Sequence, residues 1–260
     1  MGSSLEDFYV RFADQLLKIA VQHLETKNYV RDYIVDVEEK DKENALQVQV
    51  TSEDVIREWK FFLSREGYDK AFVNRLPGYY FEIFALHRKV AEALVFRNII
   101  AIHGSCVAVD GKAYIFVAKS GTGKSTHVKL WCDTFGGRAL LLNDDKPWLR
   151  LMPDGTLWVY GSPWTGKHHR GVNRDAKLSA IGQLFREEGA SVKNMAKQEA
   201  MELLLKQTIH PAGENKKEEF RNLLEKVCAK VPFYYVGSDR SKESIRFIFS
   251  SMKEGPETDL

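Results

Sequence analysis

The run Ala118-Lys119-Ser120-Gly121-Thr122-Gly123-Lys124-Ser125 constrains this chain more than any other feature. Ala113-Tyr114-Ile115-Phe116-Val117, an apolar β-rich stretch, stands directly before it, and a helical pattern from Lys124 to about Thr134 follows until Gly136-Gly137 stops it. A buried strand that enters glycine-rich backbone and leaves as a helix aims its free amides, and the positive end of the helix dipole, at one point. Polyphosphate fits there. Gly121 and Gly123 let the backbone wrap it without Cβ clashes, Lys124 reaches the β and γ oxygens, and the Ser125 hydroxyl can ligate magnesium. The expected binding stretch is therefore Ser120, Gly121, Thr122, Gly123, Lys124, Ser125 and Thr126, with ATP and Mg2+ as its cofactors. Ala118 takes the place of the first glycine of the usual pattern.

Such a loop needs a carboxylate for magnesium and, in a kinase, a base near the acceptor hydroxyl. Asp144 and Asp145 supply both candidates at the end of the short apolar strand Ala139 to Leu142, where a parallel neighbour would deliver them beside Ser125. His103 belongs to the strand Ile99 to Val109, which turns at Asp110-Gly111 and pairs with the loop strand; antiparallel register about that turn sets His103 level with Ala118, near the γ-phosphate or the acceptor. Tyr160 to Arg170 mixes turn residues with basic ones and suits a loop closing over phosphates, in which Lys167 or Arg170 stabilises transition-state charge.

Around this centre the chain changes grammar. Residues 1–97 read as a smaller α+β region: a hairpin of Tyr29 to Val37 with Leu46 to Val50, a helix from Glu53 to Arg65 capped by Thr51 or Ser52, a break at Pro77-Gly78, and a long helix from Tyr79 to Arg97. Residues 98–260 read as an α/β core with antiparallel additions. Asp154-Gly155 turns a second hairpin, and beyond it come a strand at Ala180 to Phe185, helices at Lys197 to Thr208 and Asn215 to Lys230, a strand at Phe233 to Val236 and a closing helix at Ser241 to Ser250.

The 38 basic and 36 acidic residues nearly cancel, which argues against nucleic acid or an anionic membrane as a partner. Cys106, Cys132 and Cys228 have neither metal-ligand spacing nor the density of a disulfide scaffold, so they read as reduced thiols. With no leader-like start and no apolar run of about 18 residues, the expected location is cytoplasmic.

His103-Gly104, the hairpin strand, Ser120-Gly121-Thr122-Gly123-Lys124-Ser125 and Asn143-Asp144-Asp145 together resemble the HPr kinase/phosphorylase-like kinases, structural relatives of ATP-dependent phosphoenolpyruvate carboxykinase. The resemblance spans roughly Ile99 to Lys167. It implies a mixed-sheet P-loop kinase core that transfers the γ-phosphoryl group of ATP to a serine hydroxyl of a protein or peptide, with Asp144 as general base, Asp145 serving magnesium and His103 assisting at the transferred group. Relatives act on small molecules, so a small hydroxylated metabolite is the alternative acceptor, and a nucleotide-binding regulator with little catalysis is a third reading. By the same analogy the chain forms a homo-oligomer. Thr126 stands where those enzymes usually carry an acid, and the Gly-Thr-Gly-Lys spelling is closer to the carboxykinase.

Overall fold

The computed structural model describes residues 7–119 and 121–254. The chain divides between Arg97 and Asn98 into two compact units.

In the first unit, β1 (Phe8–Phe12) and β2 (Gln15–Ala20) form an antiparallel hairpin. Its turn residues Ala13 and Asp14 both take positive φ, 46° and 61°, as a two-residue turn matched to strand twist requires. Next come α1 (Leu24–Tyr29), α2 (Glu39–Lys42) and β3 (Leu46–Gln49), which pairs with β2 in parallel. The expected hairpin of Tyr29 to Val37 with Leu46 to Val50 is thus corrected. Arg31–Tyr33 is a turn of 3-10 helix, and Tyr33 is buried with its ring 5.4 Å from that of Phe12. The aromatic and β-branched character of that stretch serves burial against β1, which it meets in one antiparallel bridge, Ile34 with Val10, while Leu46–Gln49 pairs with β2.

Three helices complete this unit: α3 (Ser52–Ser64), α4 (Lys70–Val73) and α5 (Gly78–Leu94). Thr51 caps α3 in a reciprocal box with Asp54. Phe62 of α3 meets Tyr80, Phe81 and Phe84 of α5 at ring distances of 5.8, 5.8 and 5.0 Å, edge to face. Arg88 and Lys89 of α5 pair with Glu58 and Asp54 of α3. Glu82, completely buried on α5, accepts from the backbone amides of Gln22 and His23 (2.7 and 3.1 Å), from His23 Nδ1 (3.0 Å) and from the Thr26 hydroxyl (2.5 Å), and so fixes the start of α1.

The second unit is a mixed α/β structure around a nine-stranded sheet. Its elements in chain order are β4 (Ile99–Ala101), β5 (Ser105–Val109), β6 (Lys112–Val117), α6 (Lys124–Phe135), β7 (Ala139–Asn143), β8 (Trp148–Leu151), β9 (Leu157–Tyr160), β10 (Asp175–Arg186), β11 (Ala190–Asn194), α7 (Lys197–Gln207), α8 (Glu214–Lys230), β12 (Phe233–Ser238) and α9 (Lys242–Glu254). The strands lie in the order β4-β8-β9-β10-β6-β5-β7, and β12 joins β10 and carries β11. Strands β6, β10 and β12 are mutually parallel through β10, whereas β5 pairs antiparallel with both β6 and β7. The single strand expected over Ile99 to Val109 breaks at 102–104: β4 pairs with β8 and β5 with β6. Gly104 sits at the break, where an added Cβ would stand 3.0 Å from the Phe116 carbonyl oxygen.

One face of the sheet packs against α6 and α9 through Tyr114, Phe116, Val128, Trp131, Leu184, Val236, Ile245 and Ile248. His127 is buried in this layer, accepts at Nε2 from Trp131 Nε1 (3.0 Å), and is pushed down to about 3 by burial, with Arg240 adding to the effect. It is a neutral packing residue. Among the described residues no helix is long and apolar enough to cross a membrane, and the three cysteines are free.

Candidate functional site

The glycine loop sits between the end of β6 and the start of α6, as its sequence requires. Gly121 and Gly123 take φ of 80° and 105°, values that strain any residue with a Cβ. Lys124 Nζ folds back to donate to the Ala118 carbonyl (3.1 Å), and burial lowers the lysine's pKa against the opposing pull of Asp145 and Asp144. Thr126 is exposed on the first turn of α6, and Ser120 lies outside the described residues. Two arginines that the sequence did not single out grip the loop from the ends of neighbouring strands. Arg186, the last residue of β10, donates to the carbonyls of Thr122 (3.1 Å) and Gly121 (2.8 Å), and Arg240, just after β12, donates to that of Thr122 (3.0 Å). A trans peptide turns its N–H away from its carbonyl, so the Gly123 amide faces away from the arginines.

Asn143, fully buried at the end of β7, organises the acid pair. Its amide group donates to the Ser162 carbonyl and hydroxyl (3.0 and 3.1 Å), and its Oδ1 accepts from the backbone N–H groups of Asp145 and Lys146 (2.8 and 2.7 Å). Such a side-chain turn bends the chain sharply and presents consecutive carboxylates. The expected parallel neighbour is corrected in one respect: β7 does run parallel to β6, but β5 lies between them.

The two acids have different surroundings. Asp144 is 4% exposed; burial pushes its carboxyl up, against hydrogen bonds from the hydroxyls of Ser125 and Ser105 and the charges of His168 and Arg170. The Ser105 hydroxyl lies 3.1 Å from Asp144 Oδ1. Burial also works to raise Asp145, but His103, with Nε2 at 3.3 Å, and the Lys146 ammonium outweigh it and hold Asp145 at about 2. Adjacent in sequence, the carboxyls move in opposite directions because their partners differ.

The basic loop docks on the pair through backbone. The Asp144 amide donates to the Arg170 carbonyl (3.1 Å), and Gly166, at φ 73°, lies so close to Asp145 that an added Cβ would stand 3.0 Å from its Cβ. His168 and Arg170 are exposed, yet both act on Asp144 through their charge. Lys167 is exposed on the 3-10 turn Gly166–His168, without a contact to either acid among the described residues. Ser105, Lys146, Arg186 and Arg240 are the site residues that sequence reasoning missed, while Asn143 and His168 lay within stretches that it singled out without giving either residue a role.

Among the described residues no group of three or more histidine, cysteine or acidic side chains stands ready to hold a metal ion by itself. The oxygen set of Ser125, Asp144 and Asp145 does fit magnesium, which takes one or two carboxylates and completes its shell with substrate phosphates and water.

No family model matches the chain, and no curated protein matches it. Among solved structures the chain is similar to the Hpr(Ser) kinase/phosphatase from Coxiella burnetii, at 12% identity over 59% of this chain and 98% of that chain, with a TM-score of 0.35. A similarity at that score adds nothing to what the geometry supports.

Proposed function

We propose that this chain is an ATP- and magnesium-dependent kinase that transfers the γ-phosphoryl group to a serine hydroxyl of a protein or peptide. The observation that carries the reading is the meeting of Lys124 and Ser125, at the start of α6, with one buried and one partly buried carboxylate, Asp144 and Asp145, of opposed proton affinity. A chance glycine turn before a helix has no reason to collect these groups.

The loop amides and Lys124 bind the phosphates and neutralise their charge. Asp144, with its raised proton affinity, takes the proton of the acceptor hydroxyl, because a base works best when its pKa lies nearer the working pH. Asp145, held ionised, would serve with Ser125 to hold magnesium, which when bound would supply positive charge for the transferring phosphates. His103 orients Asp145 and, on this reading, assists at the transferred group. Arg170, whose charge acts on Asp144, supplies positive charge from the docked loop, and Lys167 stands exposed on the same loop to add to it once phosphate is bound.

The test is phosphoryl transfer from γ-labelled ATP with magnesium to serine peptides, carrier proteins and small hydroxylated metabolites, comparing wild type with Lys124→Ala and Asp144→Asn. Label on peptide or protein that disappears in both variants is the expected result. Label on a metabolite alone moves the substrate class, and tight ATP binding with no labelled acceptor favours a nucleotide-binding regulator. Transfer persisting in Asp144→Asn removes Asp144 as the base.

A further inference from the structure

Beside the glycine loop, on the flank away from the acid pair, lies an open cleft of about 460 Å³ between Lys119, Gly121 and Thr122 of the loop and the end of β10 from Gln183 to Arg186. The strand order sets its position: β10 borders β6 on one side, while β5 and β7, which lead to the acids, lie on the other. The parallel strands β6, β10 and β12 all end at this edge, and ligands of parallel sheets sit outside the carboxyl ends of the strands.

The side chains at the end of β10 alternate. Leu184 enters the core under α6 and α9, so Gln183 and Phe185 project from the opposite face. Phe185 is 43% exposed, and its ring lies 5.9 Å from that of Tyr235 on the neighbouring strand. Arg186 is turned onto the loop carbonyls and forms a wall of the cleft. A polyphosphate anchored in the loop with its terminal group toward Asp144 leaves by its other end on the β10 side. An exposed aromatic ring and a carboxamide that both donates and accepts then stand where the rest of the ligand emerges.

We propose that this cleft takes the base of the nucleoside triphosphate, stacked on Phe185 with Gln183 at its polar edge; the proposal rests on the phosphate-loop reading given above. A flat heteroaromatic ring stacks on an aromatic side chain irrespective of its substituents, and removing such a platform weakens binding by roughly tenfold.

The experiment is calorimetric titration of the full chain with Mg·ATP and with Mg·tripolyphosphate, which shares the phosphates and lacks the base. Phe185→Ala is expected to weaken ATP about tenfold, to leave tripolyphosphate unchanged and to be rescued by Phe185→Trp. Equal loss for both ligands, or no loss for either, overturns the proposal. Tripolyphosphate binding to wild type as tightly as ATP leaves the loop reading standing and removes the base site. Absence of binding by either ligand to wild type defeats the loop reading and this proposal together. Because Phe185 is exposed, its replacement leaves the core intact, and circular dichroism of both variants confirms that they fold.

Discussion

Glu82 in the first unit and Asp144 in the second are both carboxylates with almost no solvent exposure, 0% and 4%. Their partners set them apart. Glu82 takes two backbone amides, an imidazole nitrogen and a hydroxyl, all from 22–26, of which the Thr26 hydroxyl is fully buried with it. Among the described residues the Asp144 carboxyl meets the hydroxyls of Ser125 and Ser105, the latter shared with the Asp144 carbonyl, and burial outweighs them. A buried carboxylate saturated with local donors holds structure, whereas one supplied by adaptable hydroxyls keeps the capacity to take up a proton.

The sharpest way to break this contrast is Asp144→Asn. It is expected to cut phosphoryl transfer about 10³-fold, in the range of a lost general base, while the folded state stays as stable or gains. A carboxyl whose native pKa lies above its unfolded value of 3.8 stabilises the fold below that value, and the contribution is lost as pH rises through the native pKa. At neutral pH the asparagine therefore removes a burden. Turnover and urea denaturation at pH 7 measure both halves, and a large stability loss would place Asp144 in the same class as Glu82.

Glu82→Ala should do the reverse, destabilising the chain by about 3 kcal/mol because the buried Thr26 hydroxyl and the partly buried amides of Gln22 and His23 lose their common acceptor. Urea denaturation reads this directly. A loss under about 0.5 kcal/mol, typical of an exposed substitution, would end the comparison.

Asp145 sharpens it through pH. Its native value of about 2 lies below the ordinary 3.8, so its contribution is present above that value and lost as pH falls through the native one. Between pH 5 and pH 2 this amounts to on the order of 1–2 kcal/mol, and Asp145→Asn should lack that portion of the acid sensitivity in stability curves. The smallest effect is expected at the exposed arginines. Arg186→Ala and Arg240→Ala should each weaken Mg·ATP about two- to fourfold by calorimetry, since exposed pairings contribute little, with partial rescue by lysine.

Much of the site was legible because its signals are local. A strand, two glycines and a helix opening with Lys124-Ser125 need only their sequence neighbours to aim amides at one point, and the capping box at Thr51 and Asp54 is equally self-contained. The first unit was less legible. Its hairpin at Ala13-Asp14 has no glycine to announce it, and Tyr29 to Val37 carries strand-like residues that fold as helical turns up to Tyr33 and then as a single bridge, Ile34 with Val10. Composition there reports burial, and burial does not choose a backbone conformation.

By itself, then, the sequence determined the loop, the adjacent acids and the order of elements around them, since each follows from residues within a turn or two of one another. Tertiary structure alone decided which acid faces Ser105 and Ser125 and which faces His103, and thereby which holds its proton more tightly. It also brought Arg186 and Arg240 onto Thr122 from 64 and 118 residues away. Proton affinity and loop geometry are set by groups that meet only when the sheet assembles, and no local pattern encodes that meeting.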